Sequence, residues 1–140
     1  MKKVFLLISL VTLFLIGCTD QVSDKKDLQM LSRVDAFPIV EGTKREEFII
    51  VDEKQLSSIR EVFRQVQWSP DVEAEMERME DFQLTLFYRY DENMPERLFE
   101  YKIWFNEDGT ATIISDVARE NFGGLAKDGA GEFKEILSVD

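Results

Sequence analysis

Phe82-Gln83-Leu84-Thr85-Leu86-Phe87-Tyr88-Arg89-Tyr90, followed after Asp91 to Glu96 by Arg97-Leu98-Phe99-Glu100-Tyr101-Lys102-Ile103-Trp104-Phe105, is the stretch whose reading decides the fold. In its first half Phe82, Leu84, Leu86, Tyr88 and Tyr90 alternate with Gln83, Thr85, Phe87 and Arg89. That is the period of a strand with one buried face. Residues 97–105 form a second strand, and Asn106-Glu107-Asp108-Gly109 makes a tight connection ending in the residue best suited to a positive φ. Thr110 to Ser115 completes that hairpin. A short return strand is expected near Asn121 to Leu125, interrupted by Gly123-Gly124. Strands joined by short turns imply an antiparallel meander.

Helices flank this block. Asp52-Glu53-Lys54-Gln55 has the spacing of a capping box, and Leu56, Ile59, Val62, Phe63 and Val66 then fall on one helical face. A helix over about 53–66 follows. Ser69-Pro70 offers a second cap, with Val72, Met76 and Met79 at helical spacing, so a short helix is expected over 70–80. The chain closes with a helix over about 128–137, where Ala130, Phe133, Ile136 and Leu137 form a stripe despite Gly129 and Gly131. Upstream, Phe48 to Val51 reads as a strand, and Ser32 to Val40 as a weaker one that Pro38 confines to an edge or a strand end. The expected class is α+β, with an antiparallel meander of about four to five strands.

The first residues carry a different signal. Lys2 and Lys3 precede thirteen residues, Val4 to Ile16, that are mostly apolar, whereas a bilayer-spanning helix needs roughly 20. The stretch is an export h-region. Its end, Leu15-Ile16-Gly17-Cys18, resembles the lipobox of bacterial prolipoproteins. The resemblance implies that Cys18 is lipidated, that residues 1–17 are removed, and that the protein sits on the outer side of the cell membrane. An uncleaved signal anchor and an ordinary secretory signal are the competing readings. Two acyl chains hold a protein on a membrane where one holds it only marginally. Residues 18–30 then read as the lipidated Cys and a polar tether spanning about 20 Å, and 31–140 as a single globular domain. A lipobox followed by helix, strand, strand, the WFNEDGT hairpin of Trp104 to Thr110 and a closing helix is similar to small YhfM-like lipoproteins of Gram-positive bacteria over roughly 48–137. That resemblance supplies no catalytic residue.

Composition narrows the function classes. The whole chain has 17 basic and 28 acidic residues; loss of residues 1–17 removes Lys2 and Lys3 and takes the net charge from −11 to −13. Nucleic acid and anionic lipid surfaces would repel such a domain. There is no His, and the one Cys is Cys18. Triad hydrolysis, thiol redox chemistry and a structural zinc site thereby lose their usual residues. A non-enzymatic domain without cofactor or metal is the expectation. Asp71, Glu73, Glu75, Glu77, Glu80 and Asp81 form an acidic run in which Glu73, Glu77 and Glu80 would share a helix face, so cation or small-ligand binding is the alternative. The preferred reading is a docking surface for a protein or envelope component, with an envelope protein as a candidate partner, made of Phe87, Arg89, Lys102 and Trp104 on the outer sheet face, because Trp and Arg are enriched at interfaces. A helix covering this face, or a register that turns Trp104 inward, is the competing outcome.

The lipobox makes a direct prediction. In Cys18→Ser the protein should leave the membrane fraction or persist at the unprocessed size; processed protein that still fractionates with membranes would overturn lipid anchoring.

Overall fold

The computed structural model describes residues 27–138, so the signal, the lipobox with Cys18, and the tether up to residue 26 lie outside the described residues. After a single 3₁₀ turn at Leu28–Met30 come β1 (Leu31–Val40), β2 (Thr43–Lys44), β3 (Phe48–Ile50), α1 (Glu53–Gln65), β4 (Gln67–Ser69), β5 (Phe82–Tyr88), β6 (Arg97–Phe105), β7 (Ala111–Ser115), β8 (Phe122–Leu125) and α2 (Lys127–Leu137). The class is α+β. The strands all pair antiparallel, with one isolated parallel bridge from Ser69 to Asn121, and number eight in place of the expected four to five, in the order β2-β1-β5-β6-β7-β8-β4, with β3 also on β1.

The extra strands come from segments with weak periodicity. β1 is an interior strand, paired along Leu31 to Pro38 with β5 and along its other side with β3 and β2. Pro38 is tolerated there because it lies where β3 has ended and β2 has not begun. Its carbonyl accepts from the Arg45 amide at 2.8 Å, and no partner strand needs the missing N–H. Glu41 and Gly42, both at positive φ (52° and 73°), form the two-residue turn that folds β2 back on β1. β4 pairs Trp68 with Gly123 of β8. A Cβ on Gly123 would stand 2.6 Å from Val66 and 2.7 Å from the Trp68 ring, so only glycine admits this contact.

Both long helices form as expected. Asp52 caps α1 by accepting from the Gln55 amide at 3.1 Å. Leu56, Ile59, Val62 and Phe63 are buried against the sheet. Phe63 meets Tyr101 and Phe133 edge-on, with ring centroids 5.1 and 5.8 Å away. Gly129 has a packing reason too: a Cβ there would lie 2.8 Å from the Gln65 amide oxygen, so its absence lets α2 close onto α1. The helix-side core continues through Val34, Ala36, Leu84, Leu86, Tyr88, Ile103, Ile113 and Leu125.

The expected helix over 70–80 does not form. Residues 70–81 instead run as an irregular strap. Within it Ala74 and Met76 are half-buried while Glu73, Glu75 and Glu77 are exposed, a period of two. A helix here would bury only Val72, Met76 and Met79 and crowd like charges, which the extended path separates.

Arg60 of α1 is buried and ties the helix to the start of the sheet. Its guanidinium donates to the carbonyls of Leu28 (3.0 Å) and Leu31 (2.8 Å) and to Glu53 (2.5 Å). Arg60→Leu strands both carbonyls and should lower the unfolding free energy by about 1–3 kcal/mol in urea titration.

Candidate functional site

The sheet has a helix side and an outer side, and the strap crosses the outer one. Its ends are pinned. Asn121, held at φ 56°, donates its amide to the carbonyls of Pro70 (3.1 Å) and Val72 (2.6 Å). At the other end Arg78 grips Asp81 through two bonds of 2.8 and 2.9 Å and donates to the Phe105 carbonyl at 2.7 Å. The Trp104 indole N–H donates to the Arg78 carbonyl at 2.9 Å. Burial pushes the Asp81 carboxyl up, but Arg78 and the Phe105 amide outweigh it and hold Asp81 below the usual carboxylate range.

Between the pinned ends, strap and sheet enclose an open groove of about 340 Å³ lined by Ala74, Met76, Lys102, Trp104, Ile114, the carboxylate-bearing Glu100 and Asp116, and the strand residues Tyr101 and Ser115. Apolar side chains form its body and charged ones its mouth. A smaller recess of about 190 Å³ continues it beside Val72, Glu73 and Phe122. Glu80, 7% exposed, accepts from the Gln83 amide at 2.6 Å. Burial raises its carboxyl, but that bond, the Glu80 backbone amide and the charge of Lys102 together hold it below the usual range.

Of the residues expected to form one docking patch, Lys102 and Trp104 line the groove. Trp104 is 3% exposed: the face is covered there, by the irregular strap and not by the helix that the competing reading named. Phe87 pairs with Leu98, six positions along β6 from Trp104 and so about 20 Å away. Its ring lies under the Arg33 guanidinium, 4.9 Å from the centroid, and Arg33 is itself paired with Asp35 at 2.6 and 2.8 Å. Arg89 follows the end of β5 and donates to Glu96 at 3.0 Å. The four side chains therefore do not share one patch. Glu73, Glu77 and Glu80 do not share a helix face either, since no helix forms; among the described residues no cluster of three acidic side chains is placed to hold a metal.

A second polar cluster stands on the helix side. The Tyr101 hydroxyl donates to Glu120 at 3.0 Å, and the Ser115 hydroxyl donates to the same carboxylate oxygen at 3.0 Å. Burial, aided by the Glu120 charge, pushes the Tyr101 phenol far above its ordinary value. Tyr88, also fully buried, has a hydroxyl without a hydrogen-bond partner among the described residues, and burial raises its phenol too. The sequence reading missed this cluster and the strap. The acid–apolar alternation Glu73-Ala74-Glu75-Met76-Glu77 was the available signal for the strap; nothing local marks Glu120 as a partner of Tyr101.

No family model matches the chain, and neither does any curated protein. Among solved structures it is similar to the crystal structure of a thioesterase-like protein from Clostridium sporogenes, with a TM-score of 0.53 and 23% identity over 78% of this chain and 96% of that one. The two share a fold. This corrects the expectation of a non-enzymatic domain: the framework also occurs in a protein described as thioesterase-like, so the fold gives no ground for excluding an enzyme.

The two buried tyrosines should respond oppositely to loss of the hydroxyl. Tyr88→Phe removes an unpaired polar atom and should leave stability unchanged or raise it, whereas Tyr101→Phe breaks a bond to a carboxylate and should cost about 1.5–3 kcal/mol in urea titration.

Proposed function

We propose that the protein is a domain held on the outer side of the cell membrane by lipid on Cys18, and that it captures a small, mainly apolar ligand between its strap and the outer sheet face. One observation carries the reading: the groove of about 340 Å³ has Trp104 and Ile114 in its floor, Ala74 and Met76 in its roof, and charge confined to its mouth. Ligand sites are concave, mostly apolar, and hold a few convergent polar groups within roughly 300–1,000 Å³. A flat protein-docking face would instead leave its aromatic anchor exposed, and here Trp104 is covered.

A second reading follows from the fold neighbour's description and concerns thioester hydrolysis. Glu120 holds the hydroxyls of both Ser115 and Tyr101, so a carboxylate base is already bonded to a candidate nucleophile. Tyr101 and Ser115 contribute to the groove wall, but the Tyr101 ring packs on Phe63 of α1 and Glu120 is not part of the lining, so mutation of Glu120 and of Ile114 separates the two readings.

The test uses purified full-chain protein in nanodiscs of neutral lipid, exposed to an alkyl diazirine photoprobe, with labelled peptides mapped by mass spectrometry. Label should concentrate on residues 70–81 and 104–116 and be lost in Ile114→Glu; label distributed elsewhere overturns the groove. Hydrolysis of a short acyl thioester that vanishes in Glu120→Gln but survives Ile114→Glu would support the second reading, and no turnover above buffer would eliminate it.

A further inference from the structure

We infer that the ligand of the strap groove is a cationic amphiphile: an apolar chain seated against Trp104, Met76 and Ile114, with a protonated amine or quaternary ammonium held at the mouth by Glu100 and Asp116. This rests on the groove being a ligand site and adds which charge its occupant carries.

The inference comes from charges that the protein leaves unbalanced. Three charged side chains line the groove: Lys102, Glu100 and Asp116. Lys102, opposite Gln83 on the neighbouring strand, is the one cation among them, facing two carboxylates. The lining therefore carries a net negative charge. Neither Glu100 nor Asp116 takes part in the ion pairs that join Arg33 to Asp35, Arg60 to Glu53, Arg64 to Glu61, Arg78 to Asp81 and Arg89 to Glu96. Asp116 does no more than accept from the Glu100 backbone amide at 3.4 Å.

The strap adds to the same field. Glu73, Glu75 and Glu77 are exposed along its outer edge, in a chain whose net charge is −11. An anionic head group would have to enter against these carboxylates and against Glu100 and Asp116, with only Lys102 to receive it. A cation enters with the field, and partial desolvation at the mouth strengthens its pairing. The apolar body of the groove requires a hydrocarbon portion as well, which excludes a bare metal ion or a small polyamine as the preferred occupant.

Three photoprobes of equal chain length separate the possibilities: an alkylammonium, an alkanoate and an alkanol, each presented to the full-chain protein in nanodiscs of neutral lipid so that no lipid charge concentrates one of them. Groove labelling by the alkylammonium should exceed that by the other two roughly tenfold. The preference should shrink at high salt and disappear in Glu100→Gln/Asp116→Asn while total alkanol labelling is retained. Equal labelling by all three would overturn the charge selection and leave the groove standing. Preference for the alkanoate would overturn it in favour of Lys102 as the head-group ligand. Absence of groove labelling by every probe would remove the ligand site itself, and this inference with it.

Discussion

The β5–β6 ladder is the contact on which the rest of the molecule depends. Seven consecutive cross-strand pairs, from Phe82 with Ile103 to Tyr88 with Arg97, lock the register of the two central strands. A slip of one residue would exchange their faces. It would send Tyr101 and Ile103 outward and bring Glu100, Lys102 and Trp104 against α1 and α2. Because the ladder holds, the helices cover one face with a nearly uninterrupted apolar layer, and the other face is left with a mixture of aromatic and charged side chains. That second face sets the need for a strap, since an indole as large as that of Trp104 is not left in water when a polar carbonyl and an apolar roof are within reach.

The two faces solve their polar problems differently. On the helix side, polar groups are few and deeply buried, so their pairing is decisive: Arg60 satisfies two carbonyls that would otherwise be stranded, and Glu120 takes up two hydroxyls. Tyr88 is the exception, with an orphan hydroxyl among the described residues. On the strap side, water reaches the mouth of the groove, so the carboxylates of Glu100 and Asp116 are tolerated at little cost. That difference in solvent access makes the outer face the better place for a reversible ligand.

Much of the fold was legible, because strong periodicity is local. The alternation from Phe82, which holds as far as Tyr88 and leaves Tyr90 exposed, the helical stripe in 56–66 and the turn at Asn106 to Gly109 each state their geometry within a dozen residues. Gly109 adopts φ 88° in that turn. The failures fall where two periods compete or where a partner is remote. Val72, Met76 and Met79 match a helix, yet Glu73-Ala74-Glu75-Met76-Glu77 matches an extended chain, and contact with Trp104 and Ile114 decides between them. Pro38 argued for an edge strand, but β3 and β2 divide the flank of β1 so that its missing N–H falls in the gap. Gly129 was a penalty for a helix in isolation and became the point of closest approach once α1 lay beside it.

The amino-acid sequence alone determined the class of the fold, the positions of both long helices and the central strands, and the acidic charge. These follow from side-chain periodicity, capping and composition, which act over short stretches of chain. The placement of the strap, the burial of Trp104 and the meeting of Glu120 with Tyr101 were decided only by the tertiary structure. Each joins residues far apart in the sequence, through a hydrogen bond or a desolvated contact whose value exists only when both partners are in place. The groove belongs to that second group, since its floor and roof come from segments that meet only after the sheet has closed.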